Sequence, residues 1–186
     1  MFKSGAVVRK FEVNGEKVIL RYPKMSDAKN LMRHINSLID ERARIILTKK
    51  VTLEEEKKYL KGIIDKSKKG LSIDLIAEVN GEFAGKFDVF RERNPPSAID
   101  HIAKFGLGLK RKYRNMGIGT EILKVLIEIA KKEFKAEIIE LGIIADNDRA
   151  VHVYKDKMGF REVGRIPNGY KRDGKYLDRV IMIKNI

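Results

Sequence analysis

Three pairs of turn residues, Asn14-Gly15, Asn80-Gly81 and Asp173-Gly174, limit the folds open to this chain more than any other feature. Asn-Gly and Asp-Gly accept the positive φ angles of tight hairpin turns, so each pair predicts two antiparallel strands joined directly. Val8, Phe11 and Val13 precede the first turn, and Val18 and Leu20 follow it. Before the second, Leu71, Ile73, Leu75, Ala77 and Val79 alternate with mostly polar neighbours, and Phe83, Gly85, Phe87 and Val89 continue the alternation beyond it. That period of two belongs to strands. The third pair leads into a last strand over 178–184. Hairpins at the start, middle and end contradict the alternating βαβ units of a dinucleotide-binding fold.

Between the hairpins the period changes. Ala28, Leu31, Met32, Ile35, Leu38 and Ile39 make a helical stripe, with Ser26 as its expected cap. Thr52 and Glu55 have the spacing of a capping box for a second helix, whose apolar face is Leu53, Leu60, Ile63 and Ile64 and whose end is Gly70. A loop containing Asn94-Pro95-Pro96-Ser97 separates the central hairpin from a strand over 102–109. A long helix after it carries Ile118, Ile122, Leu123, Val125, Leu126, Ile129 and Ala130 on one face. A strand over 138–144 and a short helix over 149–158 precede the final hairpin. With no linker in view, the order predicts one α+β domain over 1–186 around a mixed sheet, residues 1–16 adding an extra N-terminal strand and hairpin.

Composition narrows the class. The 186 residues are 43% hydrophobic and 35% charged, which suits a globular chain with a substantial core and argues against disorder. No apolar run approaches membrane-spanning length, and Met1-Phe2-Lys3-Ser4-Gly5 leads into no signal-peptide core, so a cytoplasmic protein without membrane partners is expected. Cysteine is absent, which removes disulfides, thiolate metal sites and cysteine nucleophiles. Glutamine and tryptophan are absent too, while Lys, Glu and Ile abound, a mix that leans towards a thermophile. His34, His101 and His152 have no ligand spacing with carboxylates, and no metal is expected. The net charge of +14 is spread along the chain without a basic arm or repeat. It fits a generally basic surface or attraction to a phosphate-bearing partner, and no dedicated nucleic-acid module is expected.

The chemistry concentrates in Phe105-Gly106-Leu107-Gly108-Leu109-Lys110-Arg111-Lys112-Tyr113-Arg114-Asn115-Met116-Gly117-Ile118-Gly119-Thr120: strand, basic loop, two glycines, helix. A helix N-terminus offers unpaired N–H groups and a partial positive charge, and glycines there admit a phosphate close to the backbone. Arg114 adds a fixed cation. The arrangement suits a pyrophosphate; the glycine pair alone also fits an ordinary strand-to-helix turn, and the pattern leaves both open. It is not a P-loop, since no Lys-Ser/Thr follows the glycines.

Arg114-Asn115-Met116-Gly117-Ile118-Gly119 resembles the Arg/Gln-x-x-Gly-x-Gly/Ala acetyl-CoA motif of the GNAT superfamily of N-acyltransferases. Asn147-Asp148-Arg149-Ala150-Val151-His152-Val153-Tyr154, followed by Met158-Gly159-Phe160, is similar to that family's Asn-x-x-Ala-x-x-x-Tyr and closing Gly-Phe. The likeness extends from about Val18 to the end, and Asn168-Gly169-Tyr170-Lys171-Arg172-Asp173-Gly174-Lys175-Tyr176-Leu177-Asp178 looks most like the branch acting on free L-amino acids or other small amines. The resemblance implies a mixed, mostly antiparallel sheet splayed at the cofactor site and flanked by about four helices. It implies transfer of acetyl from acetyl-CoA to a primary amine by direct attack. Cofactor contacts would come from Leu107, Gly108, Leu109, Arg114, Asn115, Met116, Gly117, Ile118, Gly119, Thr120 and Asn147, with the Leu109 N–H polarising the thioester carbonyl. Tyr154 would protonate the departing thiolate; without the resemblance it reads as a core aromatic, and Asn147 as a helix cap. Two departures stand out. Gly142 occupies the position of a frequent glutamate that helps deprotonate the amine, with Glu140 two residues earlier on the same strand face. The segment from Tyr154 to Gly159-Phe160 is one residue longer than usual. Alternative functions are acetylation of a protein N-terminus, a ribosomal protein being the candidate partner, or acyl-CoA binding without catalysis; a homodimer is one oligomeric option.

Overall fold

The computed structural model describes residues 2–92 and 96–186. Its strands are β1 (Val7–Val13), β2 (Glu16–Arg21), β3 (Ser72–Val79), β4 (Glu82–Phe90), β5 (Ile102–Leu109), β6 (Ile138–Ile144), β7 (Arg161–Arg172) and β8 (Lys175–Asn185). Its helices are α1 (Ala28–Asp40), α2 (Leu53–Lys68), α3 (Ile118–Phe134) and α4 (Asp148–His152). The strands form one eight-stranded sheet in the order β1-β2-β3-β4-β5-β6-β8-β7, antiparallel everywhere except between β5 and β6. The expected element order and mixed, mostly antiparallel sheet are what the chain adopts.

All three hairpin turns form as their residues demand. Asn14 and Gly15 have φ of 51° and 81°, Asn80 and Gly81 of 50° and 83°, Asp173 and Gly174 of 50° and 76°. Of the proline-containing loop, Asn94 and Pro95 lie outside the described residues.

Two cores sandwich the sheet. On one face Ile118, Ile122, Leu123 and Leu126 of α3 pack on Leu75, Phe87, Val89, Ile139 and Met182. On the other, Ala28 and Leu31 of α1 and Leu60, Ile63 and Ile64 of α2 pack on Ile76 and Phe83. Because β3 is covered on both sides, Asp74, Leu75, Ile76 and Ala77 are all buried, and the expected in–out alternation is lost there. Asp74 tolerates burial because the Lys86 ammonium lies 2.7 Å from it and 2.6 Å from Asp88, while Ser72 donates a further bond at 2.7 Å.

Two helix boundaries differ from expectation. Ser26 makes no capping bond; Asp27 takes the Lys24 N–H and both ends of the Arg21 guanidinium instead, fixing a 3₁₀ turn before α1. The expected helix over 149–158 is α4 followed by a wide π turn, Val153–Lys157, in which Met158 N–H reaches back to Val153 O at 3.0 Å. That turn absorbs the extra residue between Tyr154 and Gly159-Phe160. The Thr52–Glu55 capping box and the Gly70 stop form as read.

Candidate active site

The sheet opens at its single parallel junction. Only Ile102, Ala103 and Lys104 of β5 pair with β6, opposite Ile138, Ile139 and Glu140. Beyond them β5 runs on to Leu109 against β4 alone, and β6 runs on to Ile144 against β8 alone. Strand alternation decides which backbone groups line the gap. Lys110 N–H donates to Ala84 O across β4, so even-numbered β5 residues face β4. At the closed end His101 O accepts from Ile138 N–H, so odd-numbered ones face β6. The amides of Leu107 and Leu109 therefore point into the gap, and an extended chain could add to that edge as an extra strand. Leu109 O is already engaged by Arg114 Nε at 2.8 Å.

Gly106 and Gly108 lie on the strand face that looks towards α1 and α2. A Cβ at Gly106 would sit 2.6 Å from an Asp88 carboxylate oxygen, and one at Gly108 would sit 3.1 Å from His34 Nε2. Their missing side chains make room for these two groups. His34 is buried and edge-on to Phe83, with ring centroids 5.6 Å apart. Burial pushes its pKa down to about 4, outweighing the bond to Gly108 O that acts the other way. The ring is thus neutral near pH 7. Since a carbonyl only accepts, Nε2–H donates to Gly108 O (3.1 Å), and the buried Nδ1 is left as an unpaired acceptor.

At the far end of β5 the chain turns through a 3₁₀ turn at Arg111–Tyr113 into α3. Asn115 and Gly117 take positive φ, 64° and 78°, and Gly117 caps α3 without a side chain. The first amide bonded back into the helix is Glu121 N–H to Gly117 O. The N–H groups of Ile118, Gly119 and Thr120 precede it in the helix's first turn, where intrahelical partners are lacking. Asn14 Nδ2 donates to Met116 O at 3.1 Å, so the tip of the β1–β2 hairpin braces this loop. The N-terminal strand that reads as an appendage in sequence is a support for the site.

Arg114 is mostly buried. Nη1 reaches the Glu41 carboxylate at 2.6 Å and Nε reaches Leu109 O, while Nη2 has no partner among the described residues. Arg149 lies close enough for its pKa to be lowered, first by burial, then by repulsion from Arg114, with Glu41 opposing. Glu41 and Arg149 escaped the sequence reading, because nothing in their spacing marks them. Asn147 caps α4 through a long bond from Ala150 N–H (3.4 Å). Tyr154 is 6% exposed and edge-on to Phe160 at 5.5 Å. Burial raises its phenol well above a tyrosine's ordinary value.

Glu140 is paired with Lys104 at 3.1 Å, and the Arg179 guanidinium of β8 lies over Gly142. Among the described residues no group of His, Asp and Glu is arranged to hold a metal, and no helix is long and apolar enough to cross a membrane.

The chain belongs to the GNAT acetyltransferase family, whose model matches residues 39–160. It is 28% identical over 110 residues to the L-amino acid N-acetyltransferase AaaT of Escherichia coli, a match covering 59% of this chain and 66% of that protein. It is 28% identical over 107 residues to an N-alpha-acetyltransferase of Sulfurisphaera tokodaii, covering 54% of this chain and 63% of that one. The chain thus spans just under two thirds of the length of these relatives. Among solved structures, the ribosomal-protein-alanine N-acetyltransferase of Brucella melitensis superposes with a TM-score of 0.76 at 25% identity, covering 90% of this chain and 99% of that one.

Proposed function

We propose that this chain transfers the acetyl group of acetyl-CoA to the primary amine of a small acceptor, an amino acid or a related amine. The observation that carries the reading is the strand gap with inward amides at Leu107 and Leu109, continuing into the glycine-capped start of α3. A pantetheine arm needs an extended backbone edge, and a pyrophosphate needs clustered N–H donors with cations beside them; both are consecutive in space here. Leu107, Gly108 and Leu109 would pair with the arm, Asn115 to Thr120 would cradle the phosphates, and Arg114 would reach them through Nη2. The amine nitrogen attacks the thioester carbonyl, whose developing oxyanion the Leu109 N–H would stabilise. The C–S bond then breaks as the N–C bond settles. The thiolate takes a proton from Tyr154, and the acceptor nitrogen gives one to water.

A small acceptor is favoured by the α1–α2 connection, residues 41–52. Arg44 ties it to Asp146 at 2.7 Å, and Arg172 Nη1 donates to Ala43 O and Ile45 O at 2.6 and 3.0 Å. A strap so held to both β7 and the end of β6 would leave less room for a folded protein substrate than for a small amine.

The test is acetyl-CoA-dependent thiol release over amino acids, polyamines and N-terminal peptides. Gly119→Val is the cleanest probe of the cradle. Gly117 has positive φ and sits against Val13, so a branched residue there would strain the backbone, whereas a Cβ at Gly119 meets only Leu109 Cδ2 at 4.0 Å. Gly119→Val should keep its melting profile and lose CoA binding in calorimetry. Equal CoA affinity in wild type and variant would remove the cradle from the reading, and release with peptides alone would replace the small acceptor by a protein one.

A further inference from the structure

We propose that Arg179 is the acceptor's anchor, taking a carboxylate that the substrate carries beside its amine; this rests on the acetyltransferase reading above. The side chain is closely held on two sides and lacks a partner. A Cβ at Gly142 would lie 2.6 Å from Arg179 Nε, 2.9 Å from Nη2 and 3.1 Å from Cζ, so any residue but glycine at 142 would displace the guanidinium. On the other side, a Cβ at Gly169 would lie 2.7 Å from Arg179 Cβ, because β7 bulges between Ile166 and Tyr170 and closes on the arginine's stem. Gly142 leaves room for the half-buried guanidinium itself, and Gly169 lets β7 close on the strand position that carries it.

That cation has no counterpart. Nε is buried without a hydrogen bond, and no described residue bonds or pairs with the guanidinium. The surrounding carboxylates are occupied elsewhere. Asp178, next in the chain, accepts from Asn168 N–H and Arg165. Glu140, on the same face of β6, holds Lys104. Asp146 holds Arg44 and Glu41 holds Arg114. An arginine with five donors and a buried unpaired nitrogen is under-satisfied, and a planar carboxylate matches its fork. Arg91 and Arg172 share a buried, unpaired Nε, but each is engaged through Nη atoms, Arg91 by Phe134 O and Arg172 by two carbonyls, while Arg21 is held by Asp27 and Glu78.

Position supplies the link to the reaction. Even-numbered β6 residues turn their backbone towards the gap, and Gly142 is one of them; the guanidinium lies over this residue on the sheet face, beside the β6 edge along which the thioester would sit. A carboxylate on Arg179 places an amine one or two carbons away beside that edge. The acceptor class is therefore an α- or β-amino acid. A peptide N-terminus, whose first carboxyl is an amide, lacks the anchor.

The experiment compares kcat/KM for a free amino acid and for its amide, in wild type, Arg179→Gln and Arg179→Lys, with acetyl-CoA affinity measured alongside. Wild type should prefer the acid. Arg179→Gln should lose roughly 10–100-fold on the acid through KM, the range for one charge-assisted bond. It should keep its activity on the amide, so that the preference collapses, with acetyl-CoA affinity unchanged. Arg179→Lys, which keeps the charge but not the fork, should fall between. Equal losses on acid and amide, or no loss on either, would overturn the assignment, and weakened acetyl-CoA binding would move Arg179 to the cofactor. A wild type that acetylates no amine would instead overturn the underlying function.

Discussion

Tyr154 and His34 show burial setting the chemistry of single residues. Burial keeps the Tyr154 hydroxyl protonated beyond its ordinary range, as a donor to a leaving thiolate requires. Tyr154→Phe keeps the ring against Phe160 and removes only the hydroxyl proposed as the acid. Its kcat should fall by about 10²–10⁴-fold with CoA affinity unchanged, measured by steady-state kinetics and calorimetry. In the wild type any alkaline limb due to this group should lie above pH 10. His34 runs the other way. Its folded pKa of about 4 lies below the unfolded 6.5, so the unfolded chain binds the proton first as pH falls. The stability from neutral His34 is full above 6.5 and is lost between 6.5 and about 4. That amounts to about 3 kcal/mol, which urea unfolding at pH 7 and pH 4 would register. His34→Gln, which can still donate to Gly108 O, should flatten that part of the profile. An unchanged slope would assign the acid lability to other groups.

At the scale of elements, the wide turn Val153–Lys157 is where sequence and structure inform each other most. The extra residue after Tyr154 leaves a doubt that a sequence cannot resolve: it could displace Tyr154, or Met158 and Phe160, or neither. The turn puts the surplus on its exposed side at Lys155, Asp156 and Lys157, while Tyr154, Met158 and Phe160 remain buried together. Deleting Lys155 should convert the Met158-to-Val153 bond into an ordinary helical one. The shortened chain should fold, with its melting temperature moved by no more than about 2–4 °C, or ~1 kcal/mol, and with kcat within severalfold of wild type. Thermal melts and turnover check this; loss of turnover with the fold intact would mean that the wide turn aims Tyr154.

Across the whole molecule, strands β1–β5 and β6–β8 meet through the three parallel pairs at Ile102–Lys104 and through the helices packed on both sets. A ligand added along β5, as proposed, would bridge that weak junction and bind only the folded chain. Coenzyme A at 100 times its Kd should contribute about 2.7 kcal/mol and raise the melting temperature by roughly 5–10 °C. Gly119→Val should remove most of this rise in a melt with and without ligand; an undiminished rise would place the ligand elsewhere. The sequence by itself determined what depends on local φ and short-range periodicity. The three hairpins, the Thr52–Glu55 box, the 102–109 and 138–144 strands and the glycine-led start of α3 are all legible because neighbouring residues dictate them. Its motifs also pointed to the segment that lines the gap. Only the tertiary structure decided what depends on residues far apart in the chain. Asp27 displaces Ser26 because Arg21 reaches it, Glu41 takes one arm of Arg114 across 73 positions, and the first hairpin braces the α3 loop. The same holds for Arg179 over Gly142: an absent side chain carries no signal in a sequence, and folding alone reveals which cation fills the space it leaves.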